Sequence, residues 1–196
     1  MKRNNIFQGI SLFVVLGFLT GCAFNPQSVE LAPTISFSAD DDIGQGKQVS
    51  LGVVDEREKL ILGRRASGYG PAAEITTDQN VALIVHDELV KGLQSYNFAP
   101  IQPDKDFPTS MKVEIRLLEY TTSQGFWSGG VHTRATLKVI CKNQAKEYSK
   151  IYRAEGEERT FFVPTAEKNS ELINKILSEV LLKVLTDNEL LQFLAS

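Results

Sequence analysis

The sequence predicts a two-layer α+β domain, in which a mostly antiparallel sheet carries two main helices on one face. Three observations support this class. Several segments alternate apolar and polar residues as strands do, two long segments repeat apolar residues at helical spacing, and each element has a single apolar face. Such elements bury their apolar faces when the helices cover one side of the sheet. The chain has 196 residues, of which 42% are hydrophobic, and a formal net charge of −3.

The N-terminus has the layout of an export signal. Lys2 and Arg3 precede an apolar stretch from Ile6 to Leu19 that contains no acidic residue. This stretch has 14 residues, fewer than the roughly 20 that a helix needs to span a bilayer. A charged start followed by a short apolar run is typical of a secretory signal peptide.

The signal ends in the sequence Leu19-Thr20-Gly21-Cys22, which resembles the lipobox of bacterial lipoproteins. In that class a diacylglycerol is attached to the cysteine sulfur, cleavage falls between Gly21 and Cys22, and the new amino group is acylated, typically with palmitate. The resemblance therefore implies a cleaved signal peptide over residues 1–21, a lipidated tether over residues 22–28 and a periplasmic domain over residues 29–196. Two or more acyl chains hold a protein durably on a membrane.

The residues after the cysteine indicate which membrane holds the anchor. Ala23 and Phe24 stand where an aspartate would retain an enteric lipoprotein in the inner membrane. The predicted location is thus the outer membrane, with the domain facing the periplasm. Without residues 1–21 the chain carries 19 basic and 24 acidic residues, a formal charge of −5. That charge does not favour nucleic acid or anionic headgroups as partners of the domain.

The first half of the domain is predicted to contain two strands and a long connection. Val29 to Ser38 is rich in residues that favour extended structure, and Pro33 indicates an edge strand. Lys47 to Asp55 alternates apolar and polar residues as a strand does. The connection from Glu56 to Ala73 then carries three candidate contacts for an anion, with a solvated loop as the alternative: Arg57, Arg64 and Arg65.

Helices are predicted in the middle and at the C-terminus. Thr77 or Asp78 can cap a helix that runs to about Tyr96, because a short oxygen-bearing side chain accepts hydrogen bonds from the free amides of the first turn. A second helix begins at Thr165 and runs to about Leu185, with a wide apolar stripe. A short third helix is predicted from Asp187 to Leu194.

Apolar and polar residues alternate in the segment from Ser110 to Glu155. This pattern predicts three antiparallel strands with one solvent-exposed and one buried face. Its first turn, Gln124 to Gly130, places the only tryptophan beside a phenylalanine in a glycine-rich tip. Exposed aromatic residues of this kind serve as interface anchors. Phe126 and Trp127 are therefore candidate contacts for a protein partner, with a lid on the core as the alternative.

The chain is poor in the residue patterns that catalysis requires. His86 and His132 follow no zinc-ligand spacing, and no serine lies in a GxSxG motif. Cys141 falls on the apolar side of a strand and is predicted to be a small buried side chain. We expect no enzymatic activity, no cofactor and no metal site.

The order of several short motifs resembles the YajG-type lipoproteins of Gram-negative bacteria. These motifs follow the lipobox and extend to the helical C-terminus: Leu31 to Ile35, Val54 to Arg57, Leu62-Gly63, Ser123 to Gly125, Thr133 to Leu137, and Tyr152 to Ala154. The resemblance implies an outer-membrane lipoprotein that faces the periplasm, and it brings no catalytic residues with it. The aromatic tip at Phe126 and Trp127 departs from the family pattern.

Together these features predict a non-enzymatic binding or scaffolding module, anchored by lipid to the Gram-negative envelope and serving as an accessory subunit of an envelope complex. The alternative is a carrier of a lipid or glycan ligand, held in a groove between the helices and the sheet beneath Val81 and Leu89. An aromatic tip open to solvent would favour the protein partner, whereas an internal groove would favour the ligand.

Overall fold

A computed structural model describes residues 26–37, 42–65, 72–124, 129–160 and 164–196. Within these residues the chain forms eight strands and three helices. In chain order they are β1 (Gln27–Ser28), β2 (Gln48–Asp55), β3 (Gly63–Arg65), β4 (Ala73–Thr76), α1 (Val81–Ser95), β5 (Ala99–Ile101), β6 (Thr109–Gln124), β7 (Gly129–Asn143), β8 (Lys146–Thr160), α2 (Ala166–Leu185) and α3 (Asn188–Ala195).

The eight strands form one sheet that curls into a half-barrel. Strands β6, β7 and β8 make the predicted antiparallel meander, which the structure confirms. On its other side β6 pairs in parallel with β2 along its first half and with β3 further on. We call the end of the sheet where β6 finishes and β7 begins the upper end, and the opposite end the lower end.

The prediction of a mostly antiparallel sheet is wrong, because four of the seven strand pairs are parallel. The chain passes through α1 between β2 and β5, and the helical connection returns it in the direction in which it left. Alternation within a strand shows which face is buried, but it does not show the direction of the neighbouring strand. The sequence pattern therefore does not distinguish parallel from antiparallel neighbours.

The core lies between the sheet and the helices, which cover one sheet face as predicted. Helix α1 contributes a buried stripe of Val81, Val85, Leu89 and Leu93, and every apolar residue of α2 from Leu172 to Leu185 is buried except the half-buried Leu182. The two helices meet at Gly92, where an added Cβ would lie 2.3 Å from Leu185 Cδ1. Cys141 is fully buried, as predicted, and burial raises the pKa of its thiol to about 12.

The second and third helices begin where the sequence predicts, but the predicted cap of the first long helix is wrong. Thr165 caps α2 and Asp187 caps α3, each accepting hydrogen bonds from first-turn amides. Helix α1 instead begins after Asn80, whose side chain accepts from the Leu83 amide at 3.1 Å. The predicted caps Thr77 and Asp78 are engaged elsewhere: Thr77 accepts from the Gln79 amide, and Asp78 accepts from the Ser28 hydroxyl.

Residues 29–37 have no regular secondary structure, so the edge strand predicted from Val29 does not form there. Only Gln27 and Ser28, which fall in the predicted tether, pair with the sheet, through β4. The following residues cross onto the helices, where Val29 and Leu31 are buried. Their backbone groups bond to side chains of α2: the amides of Ala32 and Thr34 donate to Asn174 at 2.8 Å and Ser178 at 2.9 Å. None of the three described helices is long and apolar enough to cross a membrane.

Candidate functional site

The parallel pairing along β6 is interrupted, and this interruption forms the candidate site. Strand β2 pairs with β6 as far as the contact of Asp55 with Ile115, and pairing resumes where Gly63 meets Tyr120. Between these points the chain makes a seven-residue excursion, residues 56–62, opposite only four residues of β6. A β-bulge lies at the same place, because the register between β6 and β7 shifts between Ile115 and Leu117. Bulges re-aim side chains and commonly lie beside functional sites.

A cleft of about 780 Å³ lies between the excursion and β6, and we call it the β6 cleft. Its volume is in the range of small-molecule binding sites. The lining combines aliphatic side chains with five basic and three acidic residues, and it consists of residues 56–59, 61–64, 72, 116–122 and 134. The site therefore offers a charged rim around an aliphatic floor.

Among the ion-paired side chains that line the cleft, that of Arg57 is the least exposed, with 4% of its surface accessible. Its Nε and Nη2 atoms donate to the two carboxylate oxygens of Asp55 at 2.8 and 2.7 Å. These hydrogen bonds lower the pKa of the Asp55 carboxyl. The third nitrogen, Nη1, is buried and has no acceptor among the described residues. The ion pair fixes the start of the excursion against the end of β2.

A second charge network lies beside it at the bulge. Glu56 accepts from Arg116 at 2.9 Å and lies 3.7 Å from the ammonium of Lys112. The nearly buried Glu114 accepts from both Lys112 and Arg116. The hydrogen bond from Lys112 is the main cause of a lowered pKa at Glu114, since it outweighs the effect of burial. Residues of the excursion and of β6 are thus held together by charge.

The remaining arginines of the lining are also ion-paired. Arg134 of β7 donates to Glu119, and Arg64 donates to Glu74 at 3.0 Å. Gly63 allows the close approach of β3 to β6, because a Cβ there would lie 2.0 Å from the Tyr120 carbonyl oxygen. Paired guanidinium groups keep free N–H donors, so they can still recognise a carboxylate, phosphate or hydroxyl group.

The structure places two of the three predicted anion contacts, Arg57 and Arg64, in the β6 cleft. Arg65 lies on the other face of β3, is 5% exposed, and pairs across the strands with Ala73. There it lies near the hydroxyl of Tyr120. Burial raises the pKa of this hydroxyl to about 12, and the positive charge of Arg65 opposes the rise. Arg65 therefore belongs to the upper core rather than to the cleft.

The lining of the β6 cleft contains no histidine, cysteine or serine, and its hydroxyls are those of Thr121 and Thr122, since the Tyr120 hydroxyl is buried near Arg65. Among the residues that the structure describes, no group of three His, Cys, Asp or Glu residues could hold a metal ion. The arrangement can bind through charged and aliphatic side chains, but these lining residues offer no activated nucleophile.

The other predicted site residues lie outside the described residues. These are Gly21 and Cys22 at the cleavage site, and Phe126 and Trp127 at the hairpin tip. The strands that the tip connects, β6 and β7, end at Gln124 and begin at Gly129, at the upper end of the sheet.

Sequence reasoning missed the side of the cleft that β6 and β7 supply, notably Arg116, Glu119 and Arg134. The alternation of Lys112, Glu114 and Arg116 with apolar residues indicated a solvent-exposed face of the strand. The bulge that brings this face to the excursion has no clear signal in the sequence. The excursion itself was seen as a long connection rich in arginine.

The chain is similar to lipoproteins along almost its whole length. A family model described as "Uncharacterized lipoprotein" matches residues 33–195. The uncharacterized lipoprotein YajG of Escherichia coli strain K12 is 22% identical over 195 residues, which cover 99% of this chain and 97% of the relative. The class is therefore that of the lipoproteins. Within it, the chain belongs to the YajG-type lipoprotein family, which confirms the resemblance seen in the sequence.

Solved structures with a similar backbone arrangement are remote in sequence. One uncharacterized protein is 7% identical, with a TM-score of 0.49, and the match covers 82% of this chain and 97% of that protein. A protein from Xanthomonas campestris is 9% identical, with a TM-score of 0.46, and the match covers 83% and 91%. These likenesses concern the backbone alone.

Proposed function

We propose that this chain is a non-enzymatic lipoprotein. Acyl chains on Cys22 hold it on the periplasmic face of the outer membrane, and its domain binds a protein of the envelope there. Membership of a lipoprotein family supports the anchor, and the residues Leu19 to Cys22 supply its attachment point. Ala23 and Phe24 support the outer rather than the inner membrane. The proposed role is that of an accessory subunit.

The observation that carries the binding role is the β6 cleft. It is open, it has a charged rim formed by Arg64, Arg116 and Arg134, and its side chains are already oriented by ion pairs. Oriented charged groups around aliphatic surface favour specific recognition of a partner. Phe126 and Trp127 remain proposed contacts for the same partner or another one.

The anchor is tested with Cys22→Ser in the full-length chain. We expect the wild type to be acylated and to partition into the detergent phase, and the variant to stay in the aqueous phase. Equal partitioning of the two proteins would show that Cys22 is not the anchor.

The partner is tested by placing a photo-crosslinking amino acid at Lys59, an exposed residue of the cleft lining, in the lipidated protein in its native envelope. The matched control is the same amino acid at Ser149, which is exposed on β8. We expect one envelope protein to be captured repeatedly from Lys59 and not from Ser149. Identical products from both positions, or capture of lipid alone, would contradict a protein partner.

Trp127 gives a separate test of the tip. A partner contact requires a solvent-exposed indole in the protein alone, so we expect red-shifted fluorescence that an aqueous quencher reduces. A blue-shifted, quencher-resistant emission would mean that the ring is part of the core.

A ligand carrier is the second candidate, and the volume of the β6 cleft favours it. The groove beneath α1 that the sequence suggested is filled, since Val81 and Leu89 are 3% and 0% exposed. The cavity between α2 and strands β7 and β8 has about 30 Å³, space for roughly one water molecule. A carried lipid or glycan would be found by mass spectrometry of the protein released gently from membranes, and Leu117→Asp in the cleft should reduce its yield relative to wild type.

A further inference from the structure

The point where the chain joins the domain is fixed near the upper end of the sheet. Gln27 of β1 pairs with Ile75, Ile75 pairs with Gly63, and Gly63 pairs with Tyr120. Gln27 is thus level with Tyr120, four residues before β6 ends at Gln124. Strand β1 runs antiparallel to β6, so the chain enters β1 from the side of the upper end.

Several contacts outside the sheet hold this entry point. The buried Asn169 at the start of α2 donates to the Gln27 side chain at 2.6 Å, and Ser28 donates to Asp78 at 3.0 Å. The amide of Leu31 donates to Gln79 at 2.5 Å, and Gln79 returns a bond to the Leu31 carbonyl at 3.2 Å. Contacts to the sheet, to α2 and to the residues just before α1 therefore prevent residues 27–31 from serving as extra tether.

The chain available between the anchor and this point is short. Five residue steps separate Cys22 from Gln27, which span at most about 17 Å when fully extended. Four strand residues separate the level of Tyr120 from the end of β6, a rise of about 13 Å. The acylated cysteine therefore reaches only about 4 Å beyond the upper end of the sheet.

We propose that the upper end of the domain rests on the lipid headgroups of the membrane that holds Cys22. The inference depends on the proposed acylation of Cys22, and the length of the tether alone imposes the contact. This contact with the headgroups requires no basic patch on the domain, which agrees with the net charge of −5 expected for the mature chain. The lower end of β6, fifteen residues away at Thr109, then lies at most about 50 Å from the bilayer surface.

Fluorescence quenching on vesicles tests this orientation with the complete lipidated protein. One label is attached at Ser123→Cys at the upper end, and the matched label at Ala145→Cys in the turn at the lower end; both positions are exposed. Cys141 is buried and its thiol pKa is about 12, so it should not take the label. The vesicles are made of phosphatidylethanolamine and phosphatidylglycerol, with a nitroxide on a fraction of the headgroups.

We expect the headgroup nitroxide to quench the label at position 123 strongly and the label at position 145 not at all. Equal quenching of the two labels, or stronger quenching at position 145, would overturn the proposal. Absence of quenching at position 123 in vesicles, together with crosslinking of that position to a protein in native membranes, would also overturn it in favour of a protein contact.

A spacer variant tests whether the tether imposes the contact. Twenty Gly and Ser residues inserted between Phe24 and Asn25 add a flexible chain with a root-mean-square length of about 25 Å. Quenching at position 123 should fall towards the level at position 145, whereas undiminished quenching would show that tether length does not set the contact. Flotation with the vesicles separates the two proposals: a protein that does not float contradicts the anchor, and one that floats without quenching contradicts only the orientation.

Discussion

At the scale of single residues, Asp187 joins two elements through one carboxylate. Its Oδ1 atom accepts from the Glu189 amide at 3.0 Å and so caps α3, while its Oδ2 atom accepts from Lys150 at 2.6 Å and from Tyr152 at 2.7 Å. Burial raises the pKa of Asp187, but the hydrogen bonds from Lys150 and Tyr152 outweigh burial and leave it lowered. The short C-terminal helix is thereby fastened to β8.

Asp187→Ala should lower the free energy of unfolding by about 2–4 kcal/mol, because it removes a helix cap and leaves the buried Tyr152 hydroxyl without its acceptor. Urea denaturation measures the change. The control is Glu189→Ala, whose side chain is 73% exposed, and a surface substitution of this kind should cost less than about 0.5 kcal/mol. Equal effects of the two variants would contradict the assigned role of Asp187.

Gly63→Ala should also destabilise the domain, by more than about 2 kcal/mol, because overpacking against backbone cannot be relieved by a change of rotamer. The added Cβ would lie 2.0 Å from the Tyr120 carbonyl oxygen. Gly52→Ala in β2 is the matched control, since its Cβ would lie at an ordinary 3.6 Å from Pro103. Thermal unfolding of both variants decides whether β3 approaches β6 as closely as described.

At the scale of elements, one face of α2 carries a row of polar side chains that replaces a strand partner for the N-terminal segment. Ser170, Asn174 and Ser178 follow one another at intervals of four residues, so they lie along one line on the helix. Asn174 both accepts from the Ala32 amide and donates to the Glu30 carbonyl. Residues 30–34 thus satisfy backbone groups without entering the sheet.

Asn174→Ala should increase the rate of hydrogen exchange at the Ala32 amide, because that amide loses its acceptor, and should cost about 1 kcal/mol of stability. Lys175→Ala, one residue further on and exposed, is the control and should leave this exchange rate unchanged. Unchanged exchange in the Asn174 variant would mean that the segment is held by its apolar contacts alone.

The sequence allowed some elements to be predicted and not others, for a physical reason. The apolar stripe of α2 and the starts of α2 and α3 at Thr165 and Asp187 have local signals, and the structure confirms them. The direction of β2 relative to β6 depends on contacts between residues about sixty positions apart, which no local pattern records. At the start of α1 the sequence predicted Thr77 or Asp78 as the cap, but Asn80 takes this position and a long-range bond from Ser28 engages Asp78.

At the scale of the whole molecule, carboxylates with lowered pKa values make stability depend on pH. Hydrogen bonds from Arg57 and from Lys112 lower the pKa values of Asp55 and Glu114, and the pKa of Asp187 is also lowered. The stabilisation from such groups is complete above their unfolded-state pKa values, about 3.9 for Asp and 4.3 for Glu, and is lost as the pH falls through the folded-state values.

As far as these groups determine it, the midpoint temperature of unfolding should therefore be constant above about pH 5.5. Below about pH 4 it should decrease as the pH falls. Asp55→Asn should make the decline between pH 5 and pH 2 shallower, because one group no longer takes up a proton on unfolding. An identical decline in the variant and the wild type would show that the ion pair with Arg57 does not contribute.

The candidate site was only partly predictable at this scale. Arg57 and Arg64 were identified because basic residues clustered in one long connection, and both line the β6 cleft. The opposite wall depends on where β6 bulges and on which residues of β7 lie across from it, so Arg116 and Arg134 become neighbours of the connection only after folding. Arg65 was included for the same local reason, yet strand alternation turned it to the other face.

The N-terminal segment has a mechanical consequence for a protein held by its first residues. From Gln27 the chain runs down along α2, and with the proposed anchor on Cys22 a load on the domain would pull from above. The hydrogen bonds that join residues 30–34 to the side chains of Asn174 and Ser178 would then be stressed in shear, so they would share the force instead of opening one after another. The same segment would therefore make the proposed junction between membrane and domain resistant to pulling.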